Sequence, residues 1–180
     1  MPVQIYNEWE IDAALDRTLR KLLQTCFPSD AAVFQKTRAW NGCAPAFTIL
    51  LRDDNGDIAG HVGVHDRTIR INDRPVHVAG LQNVCVVASQ RGKKLIDVLL
   101  QQFAEESKRR GFDGGMLFCR PPLIPMYARS GWIYDPTRDV ALLTLSVEQK
   151  PPAPENQMMW LPLNLQELPG GLVDLRGYDW

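Results

Sequence analysis

The stretch from Val84 to Phe103 constrains this chain more than any other. It opens with a short apolar run, Val84 to Val87, and passes through a polar turn holding Arg91, Gly92, Lys93 and Lys94. Leu95, Val98, Leu99 and Phe103 then follow at helical spacing. That order predicts a buried strand, a turn and an amphipathic helix. The first N–H groups of a helix lack intrahelical partners and the macrodipole is positive there. The turn is therefore predicted to hold an anion, a phosphate group above all.

The 180 residues suit one domain with room for a core, and a single domain over residues 1–180 is expected. A formal net charge of −1 argues against nucleic acid as a partner, since domains that bind it carry a clear basic excess. The basic cluster at 91–94 is thus a local feature of a neutral body. Cys26, Cys43, Cys85 and Cys119 show no metal-ligand spacing, so no metal site is expected. Cys85 and Cys119 sit in apolar runs, where a free cysteine acts as a small hydrophobe. No apolar run approaches the roughly 18–20 residues that span a bilayer, and no signal peptide is read at the start. The expectation is a reduced, cytoplasmic setting without a membrane partner.

Along the chain, Ile11, Leu15, Leu19, Leu22, Leu23 and Cys26 predict an amphipathic helix over about 10–26. Residues 31–45 read as a loop or a short second helix. Phe47 to Arg52, a turn at Asp53 to Gly56, and Ile58 to Val64 predict a hairpin. Thr68 to Ile71 and Pro75 to Ala79, with a turn at Asn72 and Asp73, suggest a second one. Leu81 to Val87 reads as a central strand covered on both faces. After the helix that follows Gly92, strands are predicted at 116–119, at Ile133, at 141–145 and at 158–163, with a brief helix at 123–130. The order is mixed α/β, with no internal repeat.

Neither a P-loop pattern nor GxGxxG occurs. The remaining common phosphate site at a strand–turn–helix junction is the one that takes the pyrophosphate of coenzyme A. Here the chain resembles the GNAT superfamily of N-acetyltransferases, on Val84 to Val87 followed by Arg91 and Gly92, and then on Tyr127, Gly131 and Trp132. The superfamily pattern (Q/R)xxGx(G/A) is met imperfectly: if Arg91 opens it, Lys94 and Ile96 stand where glycine and a small residue are common. Over nearly its full length the chain looks like the aminoglycoside 2′-N-acetyltransferases, some of which also place a basic residue and then leucine in this turn. Further matches are Phe27 to Asp30, Gly60 with His61, and the loop Pro152 to Glu155 ahead of Trp160 to Pro162. The ending Asp174 to Trp180 is the most specific of them.

The resemblance implies a GNAT fold, α+β, with a central mixed, mostly antiparallel twisted sheet flanked by helices, and acetyl-CoA as co-substrate. It places pantetheine along Val84, Cys85 and Val86, and the pyrophosphate on the amides of Arg91, Gly92, Lys93, Lys94, Leu95 and Ile96. Tyr127 matches the tyrosine near the thioester sulfur, where a phenol can protonate a departing thiolate. Gln82 stands at the position of a family glutamate. An amide can orient a water but cannot take up a proton, so Asp30, His61, His65 and His77 are the candidate proton acceptors. By the same match, Asp30, Gln82, Glu155, Asp179 and Trp180 with its terminal carboxylate would line an acceptor site, and paired carboxylates suit polycationic aminoglycosides. Gln82 removes one anion from that set, which points to a substrate with fewer amines, such as kasugamycin acetylated at its 2′-amine in antibiotic resistance. A homodimer paired through the C-terminal strands is also implied. Two alternatives stay open: a GNAT acyltransferase acting on another small amine, and a non-catalytic drug- or CoA-binding protein of the same fold, which Gln82 keeps in view.

Overall fold

A computed structural model describes residues 1–143 and 149–180. The chain divides into two compact units, one of residues 1–65 with 81–103 and one of 66–80 with 104–180. β3 (Ile58–Ile71) and α3 (Leu95–Arg109) begin in the first unit and end in the second, and β4 (Arg74–Val86) begins in the second and ends in the first, numbered with the elements introduced below.

In unit one, β1 (Val3–Asn7) pairs antiparallel with β2 (Phe47–Arg52), and β2 pairs antiparallel with β3 over Ile58–Val64. The Asp53 carboxylate accepts from the amides of Asn55 and Asp57, which closes the expected turn. β3 is flanked in turn by β4. Beyond β3, no other strand of this unit pairs with Leu81–Val86 among the described residues. α1 (Ala13–Cys26) begins later than the apolar spacing predicts, because the Asp12 carboxylate accepts from the amides of Ala14 and Leu15 and sets the N-cap there. Residues Glu8–Glu10 form a separate 3₁₀ turn. Leu19 and Leu23 of α1 are fully buried, each worth about 1.5–3 kcal/mol. α2 (Ala31–Phe34) is the short second helix. On α3 the buried face runs through Leu99, Leu100 and Phe103, while Val98 is 38% exposed. The face expected from the sequence, with Leu95 and Val98 in it, is therefore rotated by part of a turn.

Unit two is built on a sheet of strand order β6-β9-β5-β4-β3-β10-β7-β8. Its members beyond β3 and β4 are β5 (Gly114–Cys119), β6 (Ile133–Tyr134), β7 (Val140–Leu143), β8 (Gln149–Lys150), β9 (Gln157–Pro162) and β10 (Val173–Asp174). Two ladders are parallel, Val78–Gly80 of β4 with Gly114–Met116 of β5 and β10 with β7. The ladders β5–β9, β6–β9, β3–β10 and β7–β8 are antiparallel. α4 (Ile124–Ala128) follows a 3₁₀ turn at Pro121–Leu123. The fold class is the expected α+β arrangement of a mixed sheet with flanking helices.

Two details depart from the sequence reading. The segments 58–64 and 68–71 are one strand, and 75–79 and 81–86 are another. The strand read at 141–145 is seen as Val140–Leu143, and residues 144–148 lie outside the described residues.

Candidate active site

The junction after β4 is built as the sequence implies. β4 ends at Val86, a 3₁₀ turn spans Ala88–Gln90, and α3 starts at Leu95. Residues 91–94 between them are exposed. The Arg91 Nε donates to the carbonyl of Val86 at 3.3 Å, and Lys93 Nζ donates to Gln90 Oε1 at 2.7 Å. Gly92 has φ +81° and Lys94 has φ +57°. Lys94 therefore adopts the left-handed conformation that the family's glycine would supply, at about 1–2 kcal/mol for a residue with a Cβ. The amide of Asp97 donates back to the carbonyl of Lys94 at 3.1 Å. Contrary to the sequence expectation, the Arg91 amide is taken up by the carbonyl of Ala88 at 3.3 Å, closing the 3₁₀ turn, whereas the amides of residues 92–96 lie ahead of the first helical bond at the positive end of α3. A diphosphate fits this arrangement of amides, one arginine and two lysines.

Upstream, Asn83 interrupts β4 with φ +55°. Its carbonyl accepts from His61 Nδ1 at 2.9 Å, so that nitrogen carries the proton. Its side-chain amide donates to the carbonyl of Arg38 at 2.7 Å. The neighbouring Gln82 is 3% exposed, and its Nε2 donates to the carbonyl of Cys43 at 2.7 Å. Two consecutive amide side chains thus hold the segment between Arg38 and Cys43. Arg38 is itself buried, with Nε on Asp16 at 2.8 Å and Nη2 on Glu8. Burial works to raise the Asp16 carboxyl, but the hydrogen bonds from Arg38 and Arg20 prevail and hold it below its usual value. His61 is fully buried, and burial pushes its imidazole down to about 4 despite the Asn83 carbonyl, with the Arg38 charge acting in the same direction as burial. It is neutral at neutral pH.

The other candidate proton acceptors of unit one differ from His61. His65 Nδ1 lies 2.8 Å from the carbonyl of Ala44. Asp30 closes the 3₁₀ turn Pro28–Asp30 and is partly exposed. In unit two, His77 Nε2 lies 2.7 Å from Asp66 Oδ1 and its ring rests 4.3 Å from that of Phe112.

Unit two carries Tyr127, Glu155, Asp179 and Trp180. Tyr127 lies on α4, 7% exposed, with Trp132 edge-on at 6.1 Å. Burial, and then the neighbouring Cys119, push its phenol above the ordinary value of 10, so it is a proton donor throughout the neutral range. Burial raises the Cys119 thiol to about 11.

Glu155 is exposed, and the next residue links its loop to the tail: Asn156 Nδ2 donates to Asp179 Oδ2 at 2.6 Å. Trp180 is 5% exposed. Its Nε1 donates to the carbonyl of Met116 at 3.2 Å, Phe118 meets it edge-on at 5.5 Å, and the Arg67 guanidinium stands 5.0 Å over its ring. Arg67 Nη1 also donates to the carbonyls of Tyr178 and Leu175 at 2.5 and 3.4 Å. A side chain at Gly80 would overlap the indole, so only glycine leaves room for it. Asn83, Arg67, Gly80 and Asn156 were not read as site residues from the sequence. Of these, only the glycine inside an apolar strand carries a local signal, that of close approach by another group.

Among curated proteins none matches the chain. Solved structures share its fold at low identity. A GNAT family N-acetyltransferase, YhbS, from Escherichia coli in complex with CoA aligns with TM-score 0.68 and 17% identity over 97% of this chain and 89% of that one. A GNAT family acetyltransferase from Brucella melitensis in complex with acetyl-CoA gives 0.61 and 16% over 96% and 94%. The ribosomal-protein-S18-alanine N-acetyltransferase from Escherichia coli gives 0.57 and 17% over 90% and 94%. The family model described as acetyltransferase (GNAT) domain matches residues 12–134, which hold the strand, the basic turn, α3 and Tyr127. By that match the chain belongs to the GNAT acetyltransferase family.

Proposed function

We propose that the chain transfers an acetyl group from acetyl-CoA to an amine of an aminoglycoside, at the 2′ position, and that its substrate carries few amines, as kasugamycin does. Acetyl-CoA supplies the activated acetyl thioester. The turn would hold its diphosphate through the amides of residues 92–96, since that of Arg91 is bonded to the Ala88 carbonyl, with the Arg91, Lys93 and Lys94 side chains adding charge. Val84, Cys85 and Val86 would bond its pantetheine arm along the edge of β4. The Tyr127 hydroxyl, kept protonated by burial, would give its proton to the departing thiolate sulfur.

The observation that supports this acceptor is the anchored tail. The buried Trp180 indole fixes the preceding Asp179, and Asn156 ties that carboxylate to the loop carrying Glu155. Two carboxylates so placed suit an ammonium-bearing sugar. Gln82 enters as a holder of the Arg38–Cys43 segment rather than as a base, because its amide is engaged with the Cys43 carbonyl. One fewer anion in the acceptor site fits a weakly cationic substrate.

The test is a panel of kasugamycin, gentamicin, tobramycin, spermidine and free amino acids with acetyl-CoA, read by mass spectrometry. Kasugamycin should be acetylated fastest. Faster turnover of gentamicin or tobramycin overturns the choice of substrate, and turnover of spermidine or amino acids alone overturns the aminoglycoside class. Tyr127→Phe should lower kcat by about 10²–10⁴-fold with acetyl-CoA affinity unchanged. An unchanged kcat would remove Tyr127 from the reaction.

A further inference from the structure

β6 and β9 pair antiparallel with Ile133 opposite Trp160. Side chains opposite one another in such a ladder point to the same face, and so does Met158, two positions back along β9. The Trp160 ring lies down against the sheet, since a Cβ at Gly114 of β5 would fall 1.9 Å from its Cη2. Ile133, Met158 and Trp160 are the sheet's share of the lining of a cavity of about 150 Å³. Leu168, from the segment after β9, and the turn after β6 at Asp135 and Arg138 complete it. Met158 and Trp160 are buried, whereas Ile133 is 51% exposed, an isoleucine left uncovered on the last strand of the sheet.

This lining is held in place. Asp135 Oδ1 accepts from the amide and the hydroxyl of Thr137 at 2.9 and 2.6 Å, which closes the turn. Arg138 Nη1 donates to the carbonyl of Pro169 at 2.6 Å and ties the turn to the segment bearing Leu168. The rest of the guanidinium is under-used. Its Nε stands 3.6 Å from Asp135 Oδ2, an ion pair beyond hydrogen-bond range. Among the described residues, the bond to Pro169 is the one hydrogen bond it makes. The Arg138 side chain is 16% exposed, so water reaches its remaining N–H groups little. A planar fork of such donors suits a carboxylate. Glu167, exposed beside Leu168, also lines the cavity. Two carboxylates, Asp135 and Glu167, thus stand against one guanidinium, which disfavours a plain anion. A ligand carrying an ammonium group beside its carboxylate satisfies both signs.

We propose that this cavity binds an aromatic α-amino acid, with the ring against Ile133, Met158 and Trp160, the carboxylate on Arg138 and the ammonium group on Glu167. A volume of about 150 Å³ takes one six-membered ring. The site requires neither acetyl-CoA nor the acceptor proposed above, and no bond forms or breaks in it.

The test is calorimetric titration of the full chain, without acetyl-CoA, with L-phenylalanine, phenethylamine, L-alanine and 3-phenylpropanoate. L-Phenylalanine should bind tightest. Phenethylamine, which lacks the carboxylate, and L-alanine, which lacks the ring, should each bind about 10–100-fold more weakly. 3-Phenylpropanoate, which lacks the ammonium group, should bind about 2–5-fold more weakly. Ile133→Trp fills the cavity from an exposed position and should abolish phenylalanine binding, with thermal unfolding reporting that the fold is intact. Glu167→Gln should weaken phenylalanine about 2–5-fold and leave 3-phenylpropanoate no weaker. An absence of phenylalanine binding would overturn the proposal. So would any of the three analogues binding as tightly as phenylalanine, or full affinity retained in Ile133→Trp.

Discussion

The indole of Trp180 donates to the carbonyl of Met116 at 3.2 Å and lies where a side chain at residue 80 would otherwise be. Tail and sheet in unit two are thus matched by one hydrogen bond and one missing Cβ. Gly80→Ala should cost about 1–3 kcal/mol by overpacking, and Trp180→Ala about 3–5 kcal/mol by loss of a buried ring. The double variant should cost little more than Trp180→Ala alone, because the added methyl then enters vacated space. Urea unfolding of the three proteins reads this. Additive costs would mean that the ring and the glycine do not share that space.

Lys94 combines a charge with a conformation that suits glycine. Lys94→Gly should relieve about 1–2 kcal/mol of backbone strain and lose about 0.5–1 kcal/mol to the freer unfolded chain, a net gain of under about 1 kcal/mol. Acetyl-CoA binding should weaken in the same variant, since one cation leaves the turn. Thermal unfolding and calorimetric titration would show the two effects with opposite signs.

His61 links stability to pH. Its imidazole titrates at about 4 in the folded chain against an ordinary 6.5, so between those values the unfolded chain binds one more proton. Its contribution is complete above pH 6.5 and is lost as the pH falls towards 4, by about 3 kcal/mol in total. Denaturant midpoints measured from pH 7 to 4 should fall more steeply in the unaltered protein than in His61→Gln. Parallel curves would show that His61 is not buried as a neutral ring.

Gln82 donates to the Cys43 carbonyl, which a carboxylate cannot do. Gln82→Glu should therefore cost about 1–3 kcal/mol at neutral pH. The buried carboxyl would prefer its protonated form, which can donate again, so the deficit relative to the unaltered protein should shrink as the pH falls. A deficit that grows on acidification would contradict the hydrogen bond to Cys43.

Much of this was legible in the sequence where the signal is local. The apolar run, basic turn and helical spacing of residues 84–103 predicted the end of β4, its turn and α3, because strand, turn and helix each leave a short-range pattern. The turn at Asp53 was legible for the same reason. β1 was not, since Val3–Asn7 is a five-residue strand that, among the described residues, pairs with β2 alone and holds no buried residue to mark a face. Nor was the break at Asn83, because its left-handed backbone is upheld by His61 and Arg38, both distant in sequence. The same holds for Arg67 and Asn156, whose partners in the tail lie far along the chain.

The family match spans residues 12–134, and this bears on where the chain can be cut. Arg38 shares its buried charge between Asp16, inside that span, and Glu8, outside it. Trimming to the matched residues would leave the guanidinium with one carboxylate and strip β1 from β2. At the other end it would remove β9, exposing the edge of β5 to pairing with other chains. The smallest fragment able to fold alone is therefore longer than the stretch that carries the family's pattern, and a truncation series should lose soluble protein well before it reaches residue 12 or 134.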